Sequence, residues 1–475
     1  MPKFSFSRAI FILFLIISFS LAVFFRTFNY THRIGIENDN TRDAQVAQFA
    51  SNHFKLPLIG QYSSSGPFFY GPWWYWILMS FTKIPLGRLT LWYSVTFFSL
   101  IYLLLLYILG REIYDKWTGA IMIFIAGVAD VQISNYLAVW NPVIMPLLSV
   151  LILLLLIRCF KHKSTVNFFF LGFLLGLSVS IHFQSILLLP VLIIVAFLIR
   201  FNITLIISML IGFILPFSTL IYFDLTHKWI NLSNFIRYLT VGQYEVYVPN
   251  RWLTYLSIYW PETWGRIVGV PAWVGGLIII AVGFTLILNI KSIIRNKKLL
   301  LIMASFAATV LMLRYYRGNR FPYLSLFALP YATLFTSLAV RWLFNRSRPA
   351  SLALFAIIAF FSLQNSFASL HTDRISYENV DLTLKKIYGD FPDRSFAVYG
   401  CSFTEGSTIA HPMAYFMYLD KKDNANGLKI GFCSPSQNGL FPVKILSERD
   451  FTEGNLKWNL YSTSDVYNKT VEWWK

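Results

Sequence analysis

Ala9-Ile-Phe-Ile-Leu-Phe-Leu-Ile-Ile-Ser-Phe-Ser-Leu-Ala-Val-Phe-Phe25 is an unbroken apolar run, and Lys3 and Arg8 stand before it. As a helix it would rise about 25 Å, close to the hydrocarbon thickness of a bilayer. No small-residue cleavage site follows and the run is long for a signal-peptide core, so it reads as an uncleaved first anchor. Further runs of this kind lie near 90–110, 118–134, 141–158, 166–181, 184–199, 203–223, 267–290, 299–313, 321–340 and 350–368. The stretch 70–86 is shorter and aromatic and reads as interfacial, which leaves eleven crossings.

Composition agrees. Of 475 residues, 56% are hydrophobic and 13% charged, where a soluble protein carries about 25% charged residues. A water-facing surface cannot be made from that remainder, which excludes an ordinary cytosolic enzyme. The net charge of +18 raises nucleic acid as a partner, but its distribution argues against one. Residues 1–368 hold 28 Lys/Arg and 9 Asp/Glu, whereas 369–475 hold 12 and 13. The excess belongs to short loops between apolar runs, where cations meet anionic headgroups and fix topology.

With the amino terminus inside, the cytoplasmic turns are Arg111–Lys116, Arg158–Lys163, Arg200–Asn202, Lys291–Lys298 and Arg341–Arg348. Each carries Lys or Arg, while the opposite turns at 135–140 and 182–184 carry none, as the positive-inside rule requires. The expected fold is therefore mainly α: a polytopic transmembrane helical bundle over 1–368 with outer loops 26–89 and 224–266. A small α/β extracytoplasmic domain follows over 369–475, marked by balanced charge and by the runs Ser395-Phe-Ala-Val-Tyr399 and Leu428-Lys-Ile-Gly-Phe432. Cys401 and Cys433 both lie in it; a disulfide between them would suit an oxidising compartment, and two unpaired thiols are the alternative. The expected location is the plasma or inner membrane, with the carboxyl-terminal domain outside.

Carboxylates are scarce in the membrane portion, so their placement is informative. All nine are Glu37, Asp39, Asp43, Glu112, Asp115, Asp130, Asp224, Glu245 and Glu262. Three fall within Ile36-Glu-Asn-Asp-Asn-Thr-Arg-Asp-Ala-Gln45, directly after the first span. Apolar residues then recur with helical spacing through Phe54, so this stretch is expected to lie as a helix on the membrane surface. On it Asp39, Arg42 and Asp43 stand at i, i+3 and i+4 and share one face. Either a cation is held there between two carboxylates for a purpose, or Asn38 or Asp39 caps the helix and Arg42–Asp43 is an ordinary surface pair.

Three cations crowd the outer turn Arg314-Tyr-Tyr-Arg-Gly-Asn-Arg320, against the topology rule. An anion to bind is one explanation, and snorkelling to lipid phosphates is the other. The aromatics Trp73, Trp74, Tyr75 and Trp76 read as an interfacial belt or the floor of a lipid-facing cleft.

In the order of these pieces, residues 1–345 resemble the GT-C superfamily of membrane glycosyltransferases, in the branch of protein O-mannosyltransferases and aminoarabinose transferases. Asp39-Asn-Thr-Arg-Asp43 sits where that family opens its first outer loop with an acidic motif. Ser134-Asn-Tyr-Leu-Ala-Val-Trp-Asn-Pro142, Ser180-Ile-His-Phe-Gln184 and Arg320-Phe-Pro-Tyr before Pro330 match further pieces. The family often has adjacent acidic residues; here Asn40 follows Asp39, so weight moves to Asp39 with Asp43. The resemblance implies transfer of a sugar from a polyprenyl-phosphate donor to a lipid, glycan or protein acceptor on the outer face.

In that chemistry Asp39 is the expected base, with Asp43 orienting Arg42 or sharing the role. Arg317 and Arg320, with Arg42, would hold the donor phosphate, and His182 would contact the donor or simply pack. Asp130 and Glu262 are supporting candidates. No cofactor is required by this reading; a divalent ion between Asp39, Asp43 and the phosphate is compatible with it. The competing readings are a polysaccharide ligase or polymerase and a lipid-sugar flippase, the latter disfavoured by spans nearly free of ionisable groups and by the lack of an internal repeat.

Overall fold

The computed structural model describes residues 6–198, 200, 202–244, 252–318, 320, 322–371, 376–401, 405–433, 440–452 and 457–472. Among them, seven helices are long and apolar enough to cross a bilayer: Arg8–Thr27, Thr90–Ile113, Asn141–Lys161, Ile203–Thr226, Lys297–Tyr315, Ser325–Arg346 and Arg348–His371. Two more candidate crossings are bent helix pairs, and the apolar helices Thr165–Ile181 and Phe183–Phe197 are shorter. The chain is a multi-pass membrane protein with a predominantly helical fold. Trp73–Phe81 is a nine-residue helix, about 13 Å long and too short to cross.

Where runs 118–134 and 267–290 predict single spans, the structure has breaks. Lys116–Val128 turns by 75° into Asp130–Leu137, and Trp252–Val268 turns by 95° into Ala272–Leu288. The second break has a local cause: Gly269 takes a left-handed conformation (φ 82°) and Pro271 begins the next segment, a helix stop made of glycine and proline. The first has a distant one. The fully buried Arg26 guanidinium donates to the carbonyls of Ala126 (3.0 Å) and Gly127 (3.1 Å), so a cation closes the helix where its orphan carbonyls begin.

The two breaks touch. A Cβ on Gly269 would stand 3.0 Å from the Cα of Ala129. Both are served by one face of the helix Arg348–Ala368: Ser366 donates to Val128 O (2.6 Å), Ser362 to Val268 O (2.6 Å) and Asn365 to Gly269 O (2.9 Å). An apolar surround leaves free backbone carbonyls no water to meet, so interrupted helices persist only where neighbours supply donors.

The ends of the expected cytoplasmic turns gather on one face. Glu112 pairs with Lys161 (2.6 Å) and Lys298 (3.3 Å), and Asp115 with Arg341 (2.6 Å). The opposite face carries the surface helix Asn38–Asn52 and, packed on it, the carboxyl-terminal unit. Among its described residues that unit has four strands in the order β3-β2-β1-β4, with β1 (Phe396–Cys401) parallel to β2 (Leu428–Phe432). β3 (Lys444–Ile445) and β4 (Trp458–Leu460) run antiparallel at the two edges. Cys401 and Cys433 are joined in a disulfide at the matching ends of the two central strands. The unit holds the surface helix through Gln45, which is fully buried and accepts from His411 Nδ1 (3.0 Å). Asn52–Tyr418 and Arg88 with Asp381 and Asp420 add further ties.

Candidate active site

The surface helix is aimed by the segment before it. Arg33 donates to Phe25 O at 2.6 Å and ties off the first span. Gly35 then gives its N–H to Leu137 O (2.9 Å) and accepts from Trp92 Nε1 (2.8 Å), pinning the chain against the broken span. The helix opens at Asn38, with Glu37 as its cap residue and no side-chain capping bond. Asp39 thus occupies the first turn, where exposed N–H groups favour a negative charge.

The i, i+3, i+4 spacing does what geometry allows. Arg42 Nη1 reaches Asp39 Oδ1 at 2.8 Å, while Nη2 and Nε reach Asp43 Oδ1 at 2.8 and 3.1 Å. The two carboxylates differ completely in surroundings. Asp43 is 0% exposed, and it also accepts from Trp74 Nε1 (2.9 Å) and Tyr75 OH (3.4 Å). Asp39 is 66% exposed. Burial pushes the Asp43 carboxyl up to about 6, opposed by the charge of Arg42 and reinforced by that of Asp39. Asp43 is therefore a fixed anchor, Arg42 its tether, and Asp39 the carboxylate left facing solvent.

Beside Asp39 opens a cavity of 520 Å³. Glu37, Asn38, Asp39 and Asn40 form one wall. Val131, Ser134 and Asn135 come from one broken span, Arg266 and Ile267 from the other, and Tyr323, Leu326 and Leu329 from the segment leading into Ser325–Arg346. The meeting of the two breaks brings Arg266 and an acidic helix start to one cavity. A second cavity, of 380 Å³, is lined largely by apolar groups such as Phe68, Phe183, Phe217 and Phe235.

Glu112, Asp115 and Asp224 have other partners. Glu112 and Asp115 hold lysines and an arginine on the opposite face. Asp224 accepts from the N–H groups of Asn231 (2.8 Å) and Leu232 (3.1 Å) and so starts a helix. Glu262 is exposed in the first turn of Trp260–Val268, a helix-start position rather than a cavity wall. Asp130 is half-buried within electrostatic reach of Arg266. Glu245 lies outside the described residues.

The arginine turn is placed differently from the expectation. The Arg320 guanidinium lies over Tyr255 (5.1 Å) and Tyr259 (5.4 Å) and donates to the carbonyls of Arg314 and Tyr316. Arg314 is 5% exposed and lies over Trp252 at 4.8 Å. Arg317 takes the Gln243 side chain on its backbone N–H (3.1 Å). Neither Arg317 nor Arg320 lines the cavity with Asp39. Tyr259, under the Arg320 guanidinium, is within electrostatic reach of Arg266 as well. His182 is buried, stacked on Tyr70 (5.3 Å) and edge-on to Tyr323 (6.0 Å), and its Nδ1 has no hydrogen-bond partner.

Comparison with solved structures shows what the architecture is. ArnT from Cupriavidus metallidurans in the apo state superposes with a TM-score of 0.57 at 12% identity, over 86% of this chain and 85% of that one. Its complex with undecaprenyl phosphate gives 0.56 at 11%, over 85% and 84%. The chain has the GT-C fold. The archaeal oligosaccharyltransferase AglB from Archaeoglobus fulgidus, in complex with an inhibitory peptide and a dolichol-phosphate, gives 0.52 at 12% over 82% of this chain. This chain spans 59% of that protein's length. No family model and no curated protein sequence matches the chain.

Within this GT-C fold, sequence reasoning found the acidic helix and missed Arg266. A signal existed: Arg266 is another cation on the side the charge rule disfavours, four residues after Glu262. It also misjudged the aromatic run. Trp74 and Tyr75 are 1% and 0% exposed and point their donors at Asp43, rather than forming an interfacial belt. Among the described residues no group of three or more His, Cys, Asp or Glu side chains converges as metal ligands. Glu37 and Asp39 are the carboxylates open to the cavity, Asp43 being engaged by Arg42 and Trp74.

Proposed function

We propose that this protein is an integral-membrane glycosyltransferase that moves a sugar from a polyprenyl-phosphate carrier to an acceptor hydroxyl on the extracytoplasmic face. The observation that carries the reading is the exposed Asp39, tied through Arg42 to the buried Asp43 and lining one cavity with Arg266. Such a site needs a base for the acceptor and fixed positive charge for the departing phosphate. The acceptor oxygen attacks the anomeric carbon, the bond from that carbon to the phosphate oxygen breaks, and the electron pair leaves with polyprenyl phosphate. The acceptor proton goes to Asp39. Arg266 takes the anchoring role expected of Arg317 and Arg320, since a guanidinium matches phosphate geometry. Tyr323, kept in place by His182, bounds the sugar, and Asp130 orients Arg266.

Two observations support the orientation: the pairs of Glu112 and Asp115 gather the cationic turns on the face away from Asp39, and the Cys401–Cys433 disulfide lies on the face with it. The similarity to ArnT bound to undecaprenyl phosphate supports the class of donor. The test is release of polyprenyl phosphate from a labelled polyprenyl-phosphate sugar by the protein in nanodiscs, with a cell-envelope extract of lipids, glycans and proteins supplied as acceptor. Asp39→Asn is expected to lower release by about 10³-fold with unchanged membrane insertion and thermal stability; full activity in that variant removes the assignment.

A further inference from the structure

A separate cleft of 400 Å³ is bounded by Arg42, and the carboxyl-terminal unit completes it. Its lining is Arg42, Gln61, Tyr62, Phe69, Lys469 and Thr470. Two features mark it as built for a ligand. Gln61 is 3% exposed and neither its amide nitrogen nor its oxygen has a partner, a costly state for a buried amide unless something arrives to bind it. The walls are also rich in donors and poor in acceptors. Arg42 spends three N–H contacts on Asp39 and Asp43 and Lys469 one on Asp465 (2.6 Å), which leaves both cations with unspent donors. The phenol ring of Tyr62, 54% exposed and edge-on to Phe69 at 5.1 Å, offers a flat apolar face beside them.

Donors in excess select an anion; an amide, a hydroxyl and a ring face beside them select a sugar. We propose that this cleft is the acceptor subsite and takes an acidic sugar, whose phosphate or carboxylate lies between Arg42 and Lys469 and whose ring lies on Tyr62. A hydroxyl of that sugar then approaches Asp39 past Arg42. The word acceptor rests on the transfer reading above; the binding does not.

The probe is glucose 6-phosphate, titrated calorimetrically into the full-length protein in nanodiscs with no donor present. Glucose and inorganic phosphate serve as separate comparisons. Saturable binding of glucose 6-phosphate at least tenfold tighter than either comparison is expected. Lys469→Glu should weaken it at least tenfold and Lys469→Arg by less than threefold. Reversal of another exposed lysine of the same unit, Lys385→Glu, controls for net charge and should change nothing. Three results overturn the proposal: no saturable binding, binding indifferent to Lys469→Glu, or inorganic phosphate binding as tightly as the sugar phosphate. Because no transfer is measured, failure here leaves the glycosyltransferase reading standing, and absence of transfer leaves the cleft measurable.

Discussion

The surface helix and the arginine turn each collect charge on the face of the bundle that carries the carboxyl-terminal unit, yet they use it oppositely. At Asp39, Arg42 and Asp43 a cation is bound by carboxylates, one of which is buried and one open to a cavity. Arg314 rests on a tryptophan face, and Arg320 rests on two tyrosine faces and donates to two backbone carbonyls. A guanidinium over an aromatic face gains about 0.5–2 kcal/mol, and Arg320 makes its two carbonyl contacts through Nη2 while its buried Nε has no hydrogen-bond partner. A carboxylate in the first turn of a helix, held from behind, stays available. Charge density in the sequence marked both regions; only the partners separate a cation held by carboxylates from one laid on aromatic faces.

The difference can be broken first at the anchors. Arg42→Ala leaves Asp43 buried without its cation, and is expected to cost about 3 kcal/mol of stability and to slow sugar release by more than 100-fold. Arg320→Ala should slow release by less than threefold. Equal losses, read by thermal unfolding and by the release assay, would erase the distinction between the two regions. Next in size is the donor contact: Arg266→Ala should raise the donor KM about tenfold, the worth of roughly one charge-assisted hydrogen bond, while Arg320→Ala should not. The reverse order would return the phosphate role to the turn.

Acidity offers a third handle. With its carboxyl pushed up to about 6, Asp43 takes up a proton as pH falls through that value, which neutralises the partner of Arg42. Release should therefore be present above pH 6 and lost below it, by about tenfold per pH unit once Asp43 is mostly neutral. Asp43→Asn is neutral throughout and should flatten this limb. A limb near 6 that survives in Asp43→Asn would belong to another group. The smallest effect is expected at the aromatic cradle, where Tyr259→Leu should cost about 1 kcal/mol of stability and leave the donor KM unchanged.

Hydropathy made the bundle legible because the spans are long apolar runs with cations near their ends, and the strands around Ala397 and Ile430 were legible as short apolar runs between turn residues. The breaks were not. At Gly269 and Pro271 the residues themselves announce a stop, but the bend at Ala129 depends on Arg26, about a hundred residues earlier. The site shows the same division. Asp39, Arg42 and Asp43 interact within one helix, so spacing predicts their contact. The pairing of Asp43 with Trp74, of Arg320 with Tyr255, and the approach of Arg266 to the cavity are contacts between segments that only tertiary packing brings together.

On this reading the donor phosphate is held by Arg266 in the cavity that Asp39 lines. That placement is tested most directly by an electron cryomicroscopy map of the protein in nanodiscs with undecaprenyl phosphate. Phosphate density in the cavity, within hydrogen-bond distance of Arg266 and facing Asp39, is the predicted result. Phosphate held at Arg317 or Arg320, with Arg266 and Asp39 unoccupied, would contradict it.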